Sequence, residues 1–244
     1  MRLIRVYVQP PVKAGGRHAI EGEAANHISR VLRLRTGDAL TIFDGRGGEY
    51  AARIEEFRKG AVVVAVGDRS SPVRESPLAL TLAQGVSRGE RMDWVVQKAT
   101  ELGVSRIIPV LTERTVVKLD AKQAERKLLH WQGIATAACE QSGRDRIPIL
   151  DAPLALAEFL GGVDRRASRV MLSPAASLRV ADLPRRPGAG ILVLIGPEGG
   201  LAEAEQQAAL AAGFAAVRIG PRVLRTETAA VAALTLLQYQ FGDL

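Results

Sequence analysis

The sequence is poor in the residues that build disulfides and metal sites. Its 244 residues hold one cysteine, Cys139, so no internal disulfide can form and a Cys-rich zinc site is excluded. The three histidines, His18, His27 and His130, lie far apart with no paired ligand spacing, and no metal is expected. No apolar run approaches the roughly 20 residues that a membrane-spanning helix needs. The opening Met1-Arg2-Leu3-Ile4-Arg5 has no long apolar stretch before a small-residue cleavage site, so no export signal is expected. A soluble cytoplasmic protein with no membrane partner is the expectation.

What is present points to a globular protein with a polyanionic partner. Hydrophobic residues make up 47%, enough for a real core in one large domain or two modest ones. The net charge is +7 and the pI about 10.1. Most of the positive residues are arginine, whose planar fork matches phosphate. Residues 1–75 carry 13 basic and 9 acidic side chains, and residues 76–244 carry 20 and 17. The smaller region is thus the more basic per residue.

The chain has two textures. Ile4–Val8, Ala39–Phe43, Tyr50–Ile54 and Ala61–Val66 read as short strands. Ala24–Leu34 reads as a helix with Ile28, Val31 and Leu32 on one face. Together they predict a small barrel-like domain over residues 1–72. Asp68–Pro77, with its prolines and serines, reads as a linker. From residue 73 to 244 the pattern alternates. Strands are expected at 78–83, 106–111, 170–172, 191–195 and 216–219. Helices are expected at 90–102, 121–141 (N-capped by Asp120), 153–160, 203–212 and 227–241. Alternation of this kind predicts a parallel α/β sheet flanked by helices. The last helix is Ala- and Leu-rich on nearly all sides, so it should be buried, partly against a second subunit.

Two strand ends carry the chemistry. The apolar Ile191–Ile195 runs into Gly196-Pro197-Glu198-Gly199-Gly200, and Val217-Arg218-Ile219 runs into Gly220-Pro221 and then Leu224-Arg225-Thr226-Glu227-Thr228. Ligands of parallel sheets bind beyond the carboxyl ends of strands, where glycines admit close backbone approach. Neither segment fits a P-loop or a dinucleotide fingerprint. Thr226 is a candidate cap for the last helix.

These segments resemble the C-terminal motifs of SPOUT methyltransferases. Over the whole chain the sequence resembles the RsmE family of 16S rRNA uridine-N3 methyltransferases. The matching stretches are His27–Arg33, Lys98–Val104, Glu140–Arg144, the Gly-Pro-Glu-Gly-Gly turn and Leu224–Thr228. The resemblance implies a SPOUT-type trefoil-knotted α/β domain over residues 73–244, preceded by a PUA-like RNA-binding β-barrel over 1–72. It implies S-adenosyl-L-methionine as cofactor, 16S rRNA or the small ribosomal subunit as partner, and a homodimer. On that basis Leu172, Leu194, Gly196, Gly199, Gly200, Ile219, Gly220, Leu224 and Thr226 are candidate cofactor-binding residues. Arg225 is the candidate stabiliser of a developing uracil anion, and Glu198 an aid to proton removal or positioning. Arg30, Arg33, Arg88, Arg144 and Arg146 are candidate RNA contacts, Arg30 and Arg33 sharing a helix face. Leu201-Ala202 departs from the pattern, leaving the following helix without a hydroxyl cap. Asn26 stands where a second histidine is common.

Rival classes remain at this level. A SPOUT enzyme could act on another RNA position or on tRNA, and an RNA-binding assembly factor need not catalyse. Gly85-Val86-Ser87-Arg88-Gly89 fits the nucleophile-elbow pattern of serine hydrolases, between a strand and a helix. Only His130 follows it, inside an expected helix.

Overall fold

The β-rich N-terminal texture folds into a five-stranded sheet. The computed structural model describes residues 4–117, 119–184 and 188–244. The chain divides into two compact units, Met1–Glu75 with Cys139–Ile147, and Ser76–Ala138 with Pro148–Leu244. Of the N-terminal pentapeptide considered above, Met1, Arg2 and Leu3 lie outside the described residues.

In the first unit the strands are β1 (Arg5–Tyr7), β2 (Arg17–Glu21), β3 (Ala39–Phe43), β4 (Glu49–Arg58) and β5 (Ala61–Ser70). Their order is β1-β3-β4-β5-β2, antiparallel except for β1 with β3. Val6, Ile20, Ile42, Ile54, Val62 and Val64 point into one core. Register shifts between β4 and β5 at Tyr50/Ala52 and Ile54/Glu56 bend the sheet around it.

Three local expectations change here. Asp68, Arg69 and Ser70 belong to β5 rather than to a linker, because Arg69 and Ser70 pair with Tyr50 and Glu49. β2 was not foreseen: Arg-His-Ala-Ile-Glu alternates poorly, and pairing with β5 creates it. The expected helix from Ala24 is a short α1 (Gly22–Asn26) that widens into a π-turn over His27–Val31. Ser29 Oγ donates to the carbonyls of Ala25 (2.8 Å) and Asn26 (3.3 Å), competing with regular helix winding. Ile28 stays in the core, while Val31 rotates out to 67% exposure. Arg33 falls beyond the turn at φ 53°, so Arg30 and Arg33 do not share a helix face.

The segment 139–147 is held into this unit by charge. Arg5 and Glu49, both buried, form an ion pair, and Arg5 Nη2 donates to the Arg144 carbonyl at 3.0 Å. Arg74 Nη1 bonds Glu49 and the Gly143 carbonyl, each at 3.0 Å. Arg144 itself is buried and reaches Glu75 Oε2 at 2.6 Å. The expectation that Arg144 contacts RNA is therefore corrected: its guanidinium is inside the fold, matched to a carboxylate. Arg146 is exposed, and it is its backbone N–H that meets Glu75. Cys139 is buried too, and desolvation pushes its thiol up to about 12.

The second unit is a parallel sheet. Its strands are β6 (Leu80–Gly85), β7 (Arg106–Leu111), β8 (Ile149–Leu150), β9 (Leu154–Ala155), β10 (Ser168–Leu172), β11 (Ile191–Ile195) and β12 (Ala215–Val217). The order is β12-β10-β11-β6-β7-β8, with β9 also on β7, and every pairing is parallel. All five residues of β11 are buried, as a central parallel strand requires. The helices are α2 (Glu90–Glu101), α3 (Ala121–Ser142), α4 (Leu156–Gly161), α5 (Glu203–Ala211) and α6 (Thr226–Phe241). Asp120 caps α3 as expected: its Oδ1 accepts the Gln123 N–H at 2.7 Å, and Gln123 Oε1 accepts the Asp120 N–H at 3.1 Å. The expected helix over 153–160 begins instead as β9. α6 buries Ala230, Ala233, Leu234 and Leu237 but leaves Leu236 and Tyr239 exposed. No helix among the described residues is long and apolar enough to cross a membrane.

Two outcomes follow. Arg144→Met should lower stability in urea by about 3 kcal/mol, since Glu75 loses its buried partner, while Arg146→Met stays within about 0.5 kcal/mol. Cys139 should resist alkylation at pH 8 in the native protein and react fully once urea unfolds it.

Candidate active site

The carboxyl ends of β10, β11 and β12 open on one cavity of about 340 Å³. Leu172 comes from the end of β10. Gly196, Gly199 and Gly200 come from the turn after β11. Ile219, Gly220 and Leu224 follow β12, and Thr226 opens α6. Every sequence-predicted cofactor residue lines this cavity except Leu194, which is fully buried in the sheet core against Ala83 and Met171. Leu194 lies outside the lining: alternation along β11 puts its side chain on the sheet face opposite that of Ile195, which does line the cavity.

Close packing fixes the turn after β11. At Gly85, the last residue of β6, a Cβ would lie 2.4 Å from the Pro197 nitrogen and 2.8 Å from the Gly196 carbonyl carbon. The neighbouring Gln84 is fully buried, and its Nε2 donates to Thr226 Oγ1 at 2.9 Å. Thr226 Oγ1 passes that bond on to the Gly196 carbonyl at 2.7 Å. Thr226 is thus no cap for α6: Arg225 occupies the cap position, and the threonine hydroxyl is spent on tying three segments together. Gln84 was not foreseen, although an amide at the end of an apolar strand and before a glycine was the available signal.

The missing hydroxyl cap of α5 has a substitute. Ala202 takes the cap position with extended backbone, and Glu205 Oε2 accepts its N–H at 2.8 Å. Glu205 Oε1 also accepts the Glu113 N–H at 2.8 Å. Arg114, another residue missed from sequence, lines the cavity and donates to the Gly199 carbonyl at 2.8 Å.

Glu198 and Arg225 differ in their surroundings. Glu198 Oε1 accepts the Arg88 N–H at 2.9 Å and Arg91 Nη1 at 2.8 Å. Partial burial pushes the carboxyl up, but the Arg88 and own-backbone N–H groups and the Arg91 guanidinium outweigh it, and the net shift is downward. A carboxylate so held stays ionised and is a poor proton acceptor near neutrality. Arg91 also approaches Glu227 Oε1 at 3.8 Å, linking the turn after β11 to the start of α6. Arg225 is exposed, and its side chain makes no hydrogen bond or ion pair among the described residues. Arg88 is exposed beside this group. Arg30 and Arg33 are exposed in the first unit.

The hydrolase pattern fails on geometry. Ser87 is buried, and among the described residues its hydroxyl reaches only the Gly85 carbonyl, at 3.3 Å. His130 Nε2 is 2.8 Å from Asp93, which also accepts Trp131 Nε1 at 3.0 Å. Ser87 has no histidine partner among the described residues, so it has no base to activate it. No cluster of metal-ligating side chains occurs among the described residues.

Thr226→Val removes both bonds of the Gln84–Thr226–Gly196 chain while keeping the shape. It should cost about 1–3 kcal/mol in urea unfolding, because the Gly196 carbonyl loses its 2.7 Å donor and the Gln84 amide keeps only the Gly85 carbonyl and a 3.5 Å contact to Gly196. An unchanged midpoint would show that the chain of bonds contributes nothing.

Comparison with known proteins fits this geometry. A family model described as "RNA methyltransferase domain" matches residues 74–238, and one described as "RNA methyltransferase PUA domain" matches residues 20–66. The Bacillus subtilis ribosomal RNA small subunit methyltransferase E is 35% identical over 91% of this chain and 90% of its own length. A ribosomal RNA small subunit methyltransferase E from Neisseria gonorrhoeae, solved bound to S-adenosyl methionine, superposes with a TM-score of 0.92 at 36% identity, covering both chains completely. A Legionella pneumophila structure in complex with the bound cofactor SAM gives a TM-score of 0.96 at 41% identity, again over both full chains. With its parallel-sheet domain and N-terminal PUA domain both matched, the chain belongs to the RNA methyltransferase family that includes the small-subunit rRNA methyltransferase E proteins.

Proposed function

We propose that the protein methylates N3 of a uridine in 16S rRNA, using S-adenosylmethionine held in the cavity at the ends of β10, β11 and β12. The observation that carries this reading is the lining of that cavity. Apolar Leu172, Ile219 and Leu224 offer surfaces for an adenosyl group, and the glycines expose backbone to it. A Cβ at Gly200 or Gly220 would meet no atom within 4 Å, so both glycines leave open space that a ligand can fill. The relatives named for rRNA methylation and solved with this cofactor support the same assignment.

Bound S-adenosylmethionine would supply an electrophilic methyl group: the N3–C bond would form as the S–C bond breaks, leaving the neutral thioether S-adenosylhomocysteine, and the N3 proton would pass to solvent water. Loss of that proton places negative charge on the uracil ring. Arg225, exposed at the start of α6 and without another partner among the described residues, is suited to stabilise this charge. Glu198 is suited to positioning rather than to proton removal, since its oxygen is already engaged by Arg88 and Arg91. Arg30, Arg33, Arg88 and Arg146 are exposed and supply positive charge for RNA. The exposed Leu236 and Tyr239 of α6 fit burial against a second copy of the chain. The knotted path of the SPOUT fold and a cytoplasmic location, where ribosomes are assembled, belong to the same reading.

Incubation with labelled S-adenosylmethionine and 16S rRNA or small subunits, followed by nucleoside analysis, should yield 3-methyluridine. Label at a ribose hydroxyl or on another base would overturn the N3 assignment. Arg225→Ala should lower kcat by about 10²-fold or more with RNA affinity retained. Gly220→Val should keep the fold and weaken cofactor binding at least about tenfold.

A further inference from the structure

The turn between β3 and β4, Asp44-Gly45-Arg46-Gly47-Gly48, has no role in the site described above. Gly45, Gly47 and Gly48 adopt φ of 73°, 97° and 107°, a region that side-chain-bearing residues avoid. Two guanidinium groups lie directly on this backbone. A Cβ at Gly47 would fall 2.6 Å from Arg146 Nη2, and one at Gly48 would fall 2.6 Å from Arg69 Nη2. Arg69 Nη2 also donates to the Gly47 carbonyl at 2.5 Å. Arg46 pairs with Arg146 as an antiparallel bridge, which sets their side chains on one face.

Three exposed arginines therefore gather around one glycine turn within the first unit. None of them pairs with a carboxylate among the described residues. The nearby acids are engaged elsewhere, Glu75 with the Arg144 guanidinium and all three with backbone N–H groups. Asp44 accepts the Arg46 N–H at 3.1 Å, buried Asp145 accepts the Gly48 N–H at 2.6 Å, and Glu75 accepts the Arg146 N–H at 3.3 Å. Gathering like charges opposes folding, and an anion between them removes that cost. Planar guanidinium forks match the oxygens of a phosphodiester.

We propose that this turn is a phosphate seat, with Arg46, Arg69 and Arg146 gripping the RNA backbone and Gly47 and Gly48 leaving room for the guanidinium planes. The proposal rests on the reading of the protein as one that binds rRNA. It adds a defined anchoring site that reads no sequence, because phosphate contacts position rather than specify.

The test is binding of transcribed 16S rRNA to the full chain across 50–200 mM salt. In the triple variant Arg46→Gln, Arg69→Gln, Arg146→Gln the slope of log affinity against log salt should fall by about 2–3, as roughly three contacts are lost. The triple Arg→Lys variant should keep most of that slope. A urea midpoint in both variants no lower than that of the wild type shows that the fold is intact. A slope unchanged in the Gln variant overturns the phosphate seat, even if methylation persists. Binding of rRNA with the predicted slope loss, but with no methyl transfer by the wild type, leaves the seat standing and overturns the catalytic reading. Failure of the wild type to bind rRNA, with capture of an acidic protein instead, overturns both.

Discussion

At the end of β6 the backbone of Gly85 lies against Gly196 and Pro197 too closely for any side chain. That contact sets the height of the turn after β11, and the Gln84–Thr226–Gly196 chain of bonds then sets the start of α6 relative to the turn. Cavity, Glu198 and Arg225 all take their places from this junction. The bonded groups are buried, so these bonds hold only while all three segments are in register. A single buried amide thus does for this site what a cap or a metal does elsewhere.

The junction also explains how charge is distributed around the cavity. Arg91 holds Glu198 and approaches Glu227, and Arg114 holds the Gly199 carbonyl. These cations are committed to protein groups. Arg225 is left with its charge uncommitted at the start of α6, the observation on which its proposed role toward a developing anion rests. In the first unit the division is the same. Arg5, Arg74 and Arg144 are spent on Glu49, Glu75 and carbonyl groups, whereas Arg46, Arg69 and Arg146 stand exposed. A basic composition alone cannot separate arginines paired with the protein's own carboxylates from those open to a polyanion; their ion-pair partners do.

Much of this was legible in the sequence. β11 and its glycine turn could be read because a fully apolar strand ending in Gly-Pro has few other uses. The parallel sheet followed from alternation of strands and helices. Leu194 was misplaced because strand alternation was not carried through to the side of the sheet that faces the cavity. Arg144 was misassigned because loop position was taken as exposure, and the distant Glu75 that buries it has no local signature. The π-turn at His27–Val31 was hidden because Ser29 back-bonding looks the same in sequence as an ordinary helical serine. Gln84 was passed over as one polar residue in a strand, although its burial makes it the hinge of the site. β2 had no pattern of its own and exists through pairing with β5.

The central claim is that the contact at Gly85 builds the cofactor site without touching the cofactor. Calorimetric titration of S-adenosylmethionine into Gly85→Ala tests it most directly, because Gly85 does not line the cavity. The account predicts a folded protein whose affinity falls at least about tenfold, a displacement of the turn worth 1.4 kcal/mol or more. A folded Gly85→Ala protein with wild-type affinity would contradict it.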